Sequence, residues 1–109
     1  MKHLVLLSIS AAFALAFTTT ASAADGKAVY ADSCAKCHGE DGKGQTKMGL
    51  KLEARDYTDA KVQDSVTDEK AFKSIKEGMK KEDKTLMKPS ELSDEDIKAS
   101  IAYLRTFKK

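Results

Sequence analysis

The pattern of apolar positions is clearest near the C-terminus, where it predicts a helix. Ser93 is a suitable N-cap, and Asp96 follows three residues later, as in a capping box. The apolar positions that recur on one face after this cap are Ile97, Ile101, Tyr103, Leu104 and Phe107. Because their spacing matches the period of a helix, we expect this face to pack against the rest of the domain.

Two further helices are predicted upstream. Asp25 is a suitable N-cap for a helix from about Gly26 to Ala35. Thr67 can cap a second helix, which has acidic residues in its first turn and ends near Gly78. The apolar positions of this second helix are Phe72, Ile75 and Met79. The chain is therefore predicted to be all-α, with three main helices.

The segments between these helices show no strong period. Residues 39–66 are rich in glycine and lysine and are predicted to form a loop, with a short helical turn near Asp59 to Asp64. Lys80 to Lys84 is predicted to be a charged turn that leads into Leu86-Met87-Lys88-Pro89.

The N-terminus has the pattern of a secretory signal peptide. Lys2 precedes an apolar run, and this run is followed by the A-x-A cleavage signal Ala21-Ser22-Ala23. The run is too short for a membrane span, which needs about 20 apolar residues. We therefore predict a leader, residues 1–23, that is cleaved after Ala23 or Ala24, and one small exported domain, residues 24–109, in the periplasm or an equivalent compartment.

The charge balance narrows the class of protein. The chain has 19 Lys and Arg against 17 Asp and Glu, and the leader contributes a lysine but no acidic residue. The mature domain is thus close to neutral, which argues against a nucleic-acid binder with a strongly basic surface. Recognition of a partner must depend on how the charges are distributed.

The candidate chemistry lies in Cys34-Ala35-Lys36-Cys37-His38. Cys-x-x-Cys-His is the attachment signature of c-type haem, in which two thiols add to the vinyl groups and the histidine binds the iron. A zinc site would need four ligands, and beyond this cluster only His3, within the leader, is available. A thioredoxin-like pair would need a βαβ context, and a simple disulfide would leave His38 without a role. The motif therefore predicts one covalently attached haem c.

Five stretches carry a resemblance to a known family. They are Gly26-x-x-x-Tyr30-x-x-x-Cys34-x-x-Cys37-His38, Arg55-Asp56-Tyr57-Thr58-Asp59, Leu86-Met87-Lys88-Pro89, Leu92-Ser93-Asp94-Glu95-Asp96-Ile97 and Ile101-Ala102-Tyr103-Leu104-Arg105. With them, residues 25–109 resemble the class I monohaem c-type cytochromes. The resemblance implies the cytochrome c fold, in which three main helices surround one haem. It also implies that the first and last helices cross near Gly26, Tyr30 and Tyr103, and that a loop methionine is the sixth ligand.

Three methionines of the domain compete for the sixth position. Met87 is favoured because it lies in a short non-helical stretch stiffened by Pro89 and matches the ligand loop of the family that the chain resembles. Met79 continues the apolar repeat of the second helix, so we expect it to be a core residue, although it stays open as the alternative ligand. Met48 lies in the glycine-rich loop and is disfavoured. The predicted iron ligands are therefore His38 and Met87.

This ligand set predicts an electron carrier and not an enzyme, because both axial positions of the iron are filled. An electron-entry subunit of a larger oxidoreductase stays open as an alternative. So does a haem protein with an open sixth position, such as a peroxidase or gas sensor. Arg55 and Tyr57 are candidates for holding a haem propionate.

The partners are predicted to be redox proteins with acidic docking surfaces. The domain itself is predicted to be a monomer. A basic rim near the exposed haem edge would serve this contact, and we define it by Lys36, Lys43, Lys47, Lys80, Lys81, Lys84 and Lys88. The alternative is that these lysines simply form a solvated surface.

Overall fold

The computed structural model describes residues 25–109, so the predicted leader lies outside the described residues. In chain order the helices and strands are α1 (Gly26–Ser33), α2 (Ala35–His38), α3 (Lys47–Lys51), α4 (Ala60–Ser65), α5 (Asp68–Glu77), β1 (Met79–Lys81), β2 (Lys84–Met87) and α6 (Asp94–Arg105). The predicted helical class is confirmed, with one hairpin added. Across residues 25–109, every helix is too short or too polar to cross a membrane.

The three main helices begin where their capping residues predicted. Asp25, Thr67 and Ser93 have extended backbone conformations, and their side-chain oxygens accept hydrogen bonds from first-turn N–H groups of α1, α5 and α6. The donor-to-acceptor distances are 3.1 to 3.3 Å. Each cap satisfies a backbone donor that the helix itself leaves unpaired, which fixes the start of the helix.

Helices α1 and α6 cross at a glycine, as the resemblance implied. A Cβ atom on Gly26 would overlap the carbonyl oxygen of Ala99, so only glycine permits this approach. The ring of Tyr30 then lies 5.3 Å from the rings of Tyr103 and Phe107, centroid to centroid. These aromatic contacts join the two ends of the domain.

The apolar core between α5 and α6 is small. Ala71, Ile97 and Ile101 are its buried members. The half-buried residues packed against them are Val66, Phe72, Ile75 and Leu92. A domain of this size buries only about 60% of its unfolded surface, so a bound apolar group would add volume that the side chains do not supply.

Two features differ from the sequence prediction, namely the end of α1 and the presence of α3. Helix α1 ends at Ser33 and not at Ala35, because the backbone of Cys34 leaves the helical region before α2 begins. Helix α3 lies inside the predicted loop, where the Thr46 hydroxyl caps its first turn. The predicted turn near Asp59 to Asp64 is confirmed as α4.

The predicted charged turn is an antiparallel hairpin. Strands β1 and β2 pair Met79 with Met87 and Lys81 with Lys84, with a register shift after Met79. Glu82, at the turn, adopts a positive φ of 55°. Met87 therefore lies at the end of a paired strand and not in an open loop.

Candidate functional site

The attachment segment is a break between two helices. Cys34 lies at the break, with φ −121°, while Cys37 and His38 belong to α2. Both cysteines are half-buried and neither forms a disulfide within the described residues. Burial, reinforced by the neighbouring Cys37, raises the pKa of the Cys34 thiol to about 11. The Cys34 thiol is therefore uncharged at neutral pH, and the two cysteines are separated by the two residues that the attachment signature requires.

The His38 residue that follows the cysteines is half-buried. Burial lowers its pKa below the usual 6.5, so the ring is neutral at pH 7. Its Nδ1 atom is buried and has no hydrogen-bond partner among residues 25–109. A buried imidazole nitrogen of this kind is costly unless it has a partner, and neutral imidazole is a common iron ligand. The residues present therefore fit a haem.

Backbone carbonyls around this histidine are held by neighbouring groups. The Tyr30 hydroxyl donates to the Gly39 carbonyl at 2.6 Å, and the Thr46 hydroxyl donates to the Cys37 carbonyl at 2.8 Å. The N–H of Gly44 donates to the His38 carbonyl at 2.8 Å. These bonds fix the backbone that carries the cysteines and the imidazole. Sequence analysis missed Thr46, although threonine is one of the residues preferred at an N-cap and could have indicated the start of α3.

The structure brings Tyr57 to the histidine and leaves Arg55 at the surface. The rings of Tyr57 and His38 are 5.7 Å apart, centroid to centroid, and inclined at 60°. Burial raises the pKa of Tyr57, against the opposing effect of Arg55 and Arg105. The Arg55 side chain is exposed. The two candidate propionate contacts thus differ sharply in environment.

The methionines also differ in environment. Met87 is half-buried at the end of β2, whereas Met79 is 42% exposed on β1. The expectation that Met79 packs in the core is therefore wrong, because α5 ends at Glu77 and the chain turns into the hairpin at Gly78. Met48 is half-buried within α3 and not in a loop.

The hairpin that carries Met87 is tied to the segment that follows the attachment site. The Lys84 ammonium donates to the Lys51 carbonyl at the end of α3, at 2.7 Å. Lys81 and Glu53 form an ion pair at 3.5 Å. Beyond the hairpin, a backbone hydrogen bond of 3.0 Å joins Ser90 to Ile75 of α5. Together these contacts hold the Met87 segment from both sides.

Comparison with known proteins identifies the family. The family model described as Cytochrome c matches residues 23–108. The structure is similar to the KustC0563 c-type cytochrome, with a TM-score of 0.70 and 37% identity over 78% of this chain and 99% of that one. A mutant of that protein matches with a TM-score of 0.67 and 35% identity, covering 77% of this chain and 99% of the mutant.

A curated relative matches a shorter stretch. The Cbb3-type cytochrome c oxidase subunit FixP of Rhizobium etli is 50% identical over 54 residues, which cover 46% of this chain. The match covers only 17% of that subunit's length. The family match, in contrast, includes the Cys-x-x-Cys-His segment, both crossing helices and the hairpin. The chain belongs to the cytochrome c family, whose members carry covalently attached haem c and transfer electrons.

Proposed function

We propose that this protein is a periplasmic carrier of single electrons, with its haem bound to Cys34 and Cys37 through thioethers and its iron held by His38 and Met87. The observation that carries the proposal is the neutral imidazole of His38 beside the thiols of Cys34 and Cys37, with a buried Nδ1 atom that has no hydrogen-bond partner in the described part of the chain. When bound, the haem supplies one-electron Fe(III)/Fe(II) chemistry. The protein residues hold and orient it and limit the access of water.

Met87 is proposed as the second axial ligand because its segment is restrained and partly shielded. It is half-buried, it ends a paired strand, and Pro89 follows closely. Met79 lies opposite Met87 in the register but is more exposed and precedes the register shift. A thioether and an imidazole together favour the reduced state and leave no position for a substrate. This arrangement suits a carrier and not a catalyst.

Replacement of Met87 tests this assignment. In oxidised Met87→Ala holoprotein, we expect loss of the sulfur-to-iron charge-transfer band, because no thioether reaches the iron. The reduced variant should also bind carbon monoxide rapidly, whereas the wild type should not. Visible spectra measure both effects, with Met79→Ala and Met48→Ala as matched controls.

Retention of the band in Met87→Ala, with its loss in Met79→Ala, would move the ligand to Met79. Rapid carbon monoxide binding by the wild type would instead indicate an open sixth position.

Similarity to the FixP subunit favours a second candidate, an electron-entry haem subunit of a larger oxidoreductase. The 50% identity over 54 residues is the observation that supports it. A stable complex recovered by co-purification would favour this function, and a free monomer would favour the independent carrier.

The remaining parts of the proposal concern surroundings and partners. The leader pattern supports export to the periplasm. Tyr57 and Arg55 are proposed to contact a haem propionate through the phenol and the guanidinium.

Of the basic rim, Lys43 is half-buried and the other six lysines are exposed. Their exposure supports docking to acidic redox partners through a small, transient contact.

A further inference from the structure

Gln63 is a buried polar residue that has no assigned role in the proposed haem site. It lies in α4 and is only 2% exposed. Its Nε2 group donates to the Tyr57 carbonyl at 2.6 Å and to the Leu104 carbonyl at 3.0 Å. A single amide thus connects the segment before α4 to the end of α6.

Arg105 fixes the orientation of this amide. Its Nη1 group donates to both the side-chain Oε1 and the backbone carbonyl of Gln63, each at 2.8 Å. The guanidinium is held in turn by the Val66 carbonyl and by Asp68, whose Oδ1 accepts from Nε at 3.0 Å. Because a guanidinium can only donate, the amide oxygen must face Arg105 and both amide hydrogens must face the two carbonyls. The arrangement has one orientation.

Tyr57 is held on both sides as a result. Its N–H donates to the Gly42 carbonyl at 2.8 Å, and its own carbonyl accepts from Gln63. Gly42 follows the attachment segment. The backbone of Tyr57 is therefore hydrogen-bonded to that part of the chain on one side and to α4 on the other. The side chain that projects from this restrained backbone is the ring that lies against His38.

We propose that Gln63 is a positioning residue that holds Tyr57 against the His38 imidazole and thereby raises the reduction potential of the haem. The inference rests on the proposed function, because it requires His38 to be an iron ligand. Groups around an axial ligand control its orientation and the access of water to it. Water near the iron stabilises the more highly charged oxidised state, so a Tyr57 ring that drifts away should lower the potential.

The test is the midpoint potential of Gln63→Leu holoprotein. Leucine has a similar volume but cannot donate to the Tyr57 and Leu104 carbonyls, so we expect a lower potential as well as a lower denaturation midpoint. Gln45→Leu is the matched control, since Gln45 is exposed and we expect neither quantity to change.

If Gln63→Leu fails to fold, Gln63→Asn replaces it. The shorter asparagine keeps an amide but cannot span both carbonyls, and it should shift the potential in the same direction by less.

A double-mutant cycle separates positioning from general stability. In a Tyr57→Leu background, Gln63→Leu should lower stability again but should leave the potential unchanged, because the ring through which Gln63 acts is gone. A potential that does not move in Gln63→Leu, despite lost stability, would show that Gln63 is only structural. An equal shift with and without Tyr57 would show that it acts by another route.

These outcomes are distinguishable from a failure of the proposed function. An axial imidazole gives characteristic hyperfine-shifted proton resonances in the oxidised protein. If the wild type lacks them, the His38 assignment fails and the inference fails with it. If they are present and the potential of Gln63→Leu is unchanged, only the inference fails.

Discussion

At the scale of single residues, Tyr30 joins the attachment segment to the helix crossing. It is 2% exposed, its ring contacts Tyr103 and Phe107, and its hydroxyl donates to the Gly39 carbonyl. Gly39 has a positive φ of 81°, directly after His38, so the hydrogen bond fixes the turn by which the chain leaves α2. One side chain therefore stabilises both the fold and the segment that carries the proposed haem ligand.

Removal of the Tyr30 hydroxyl should be costly. In Tyr30→Phe the buried Gly39 carbonyl loses its donor, so we expect the free energy of unfolding to fall by about 1–3 kcal/mol.

Burial also raises the pKa of Tyr30 above its usual 10.0. The unfolded tyrosine ionises first, so stability is complete below pH 10 and is lost as the pH rises above it. Tyr30→Phe should weaken this alkaline loss. Denaturant titrations at neutral and alkaline pH measure both effects. Tyr103→Phe removes only a lesser cause of the raised pKa of Tyr30, so it should change the alkaline loss less than Tyr30→Phe does. Equal pH dependence in Tyr30→Phe and wild type would contradict the prediction.

At the scale of elements, the hairpin is a restraint on the proposed methionine ligand. Its strands are short and rich in lysine, without the alternation of apolar and polar residues that marks a half-buried strand. The sequence pattern therefore predicted a turn. The hairpin is stabilised instead by contacts that are distant in sequence, from Lys84 to the Lys51 carbonyl and from Lys81 to Glu53.

Loss of the Lys84 contact should loosen the Met87 segment. In Lys84→Ala the C-terminal carbonyl of α3 loses a charged donor, and we expect the hairpin to open more often. A surface contact of this kind contributes about 0.5–1.5 kcal/mol, so exogenous imidazole should bind the oxidised protein roughly two- to tenfold more tightly. Spectral titration with imidazole measures the affinity. Lys80→Ala, on the same hairpin, should behave as wild type, because the Lys80 ammonium makes no such contact with any residue from 25 to 109. Equal imidazole affinity in Lys84→Ala and wild type would exclude this restraint.

At the scale of the whole molecule, the predictable features were those encoded locally. Helix caps at Asp25, Thr67 and Ser93 depend on a few consecutive residues, so the sequence predicted the starts of three helices. The Cys-x-x-Cys-His spacing is equally local. The hydrogen bonds between Gln63 and Arg105 join residues that are 42 positions apart, and the local sequence around either residue does not predict them. Features of this kind follow from how the helices pack, which the apolar pattern leaves undetermined.

The distribution of charge is a second property of the whole molecule. The chain has a net charge of only +2, so a long-range attraction to acidic partners cannot come from the total charge. The lysines of the basic rim come from α2, the loop before α3, α3 itself, the hairpin and the residue that follows it. Outside the basic rim, acidic residues are grouped in the first turns of α5 and α6. A reactant near the proposed haem edge should therefore experience a positive local field.

Electron transfer to a small anion measures this local field without a known partner. We expect hexacyanoferrate(III) to oxidise the reduced protein more slowly as salt rises from about 0.01 M to about 0.15 M, because the Debye length falls from about 30 Å to about 8 Å. Lys47→Glu should lower the rate at low salt several-fold. Lys73→Glu makes the same charge change on α5, outside the basic rim, and should have a smaller effect. Since both variants have the same net charge, a difference between them reports position alone. Equal rates for the two variants, or a wild-type rate independent of salt, would mean that the lysines form only a solvated surface.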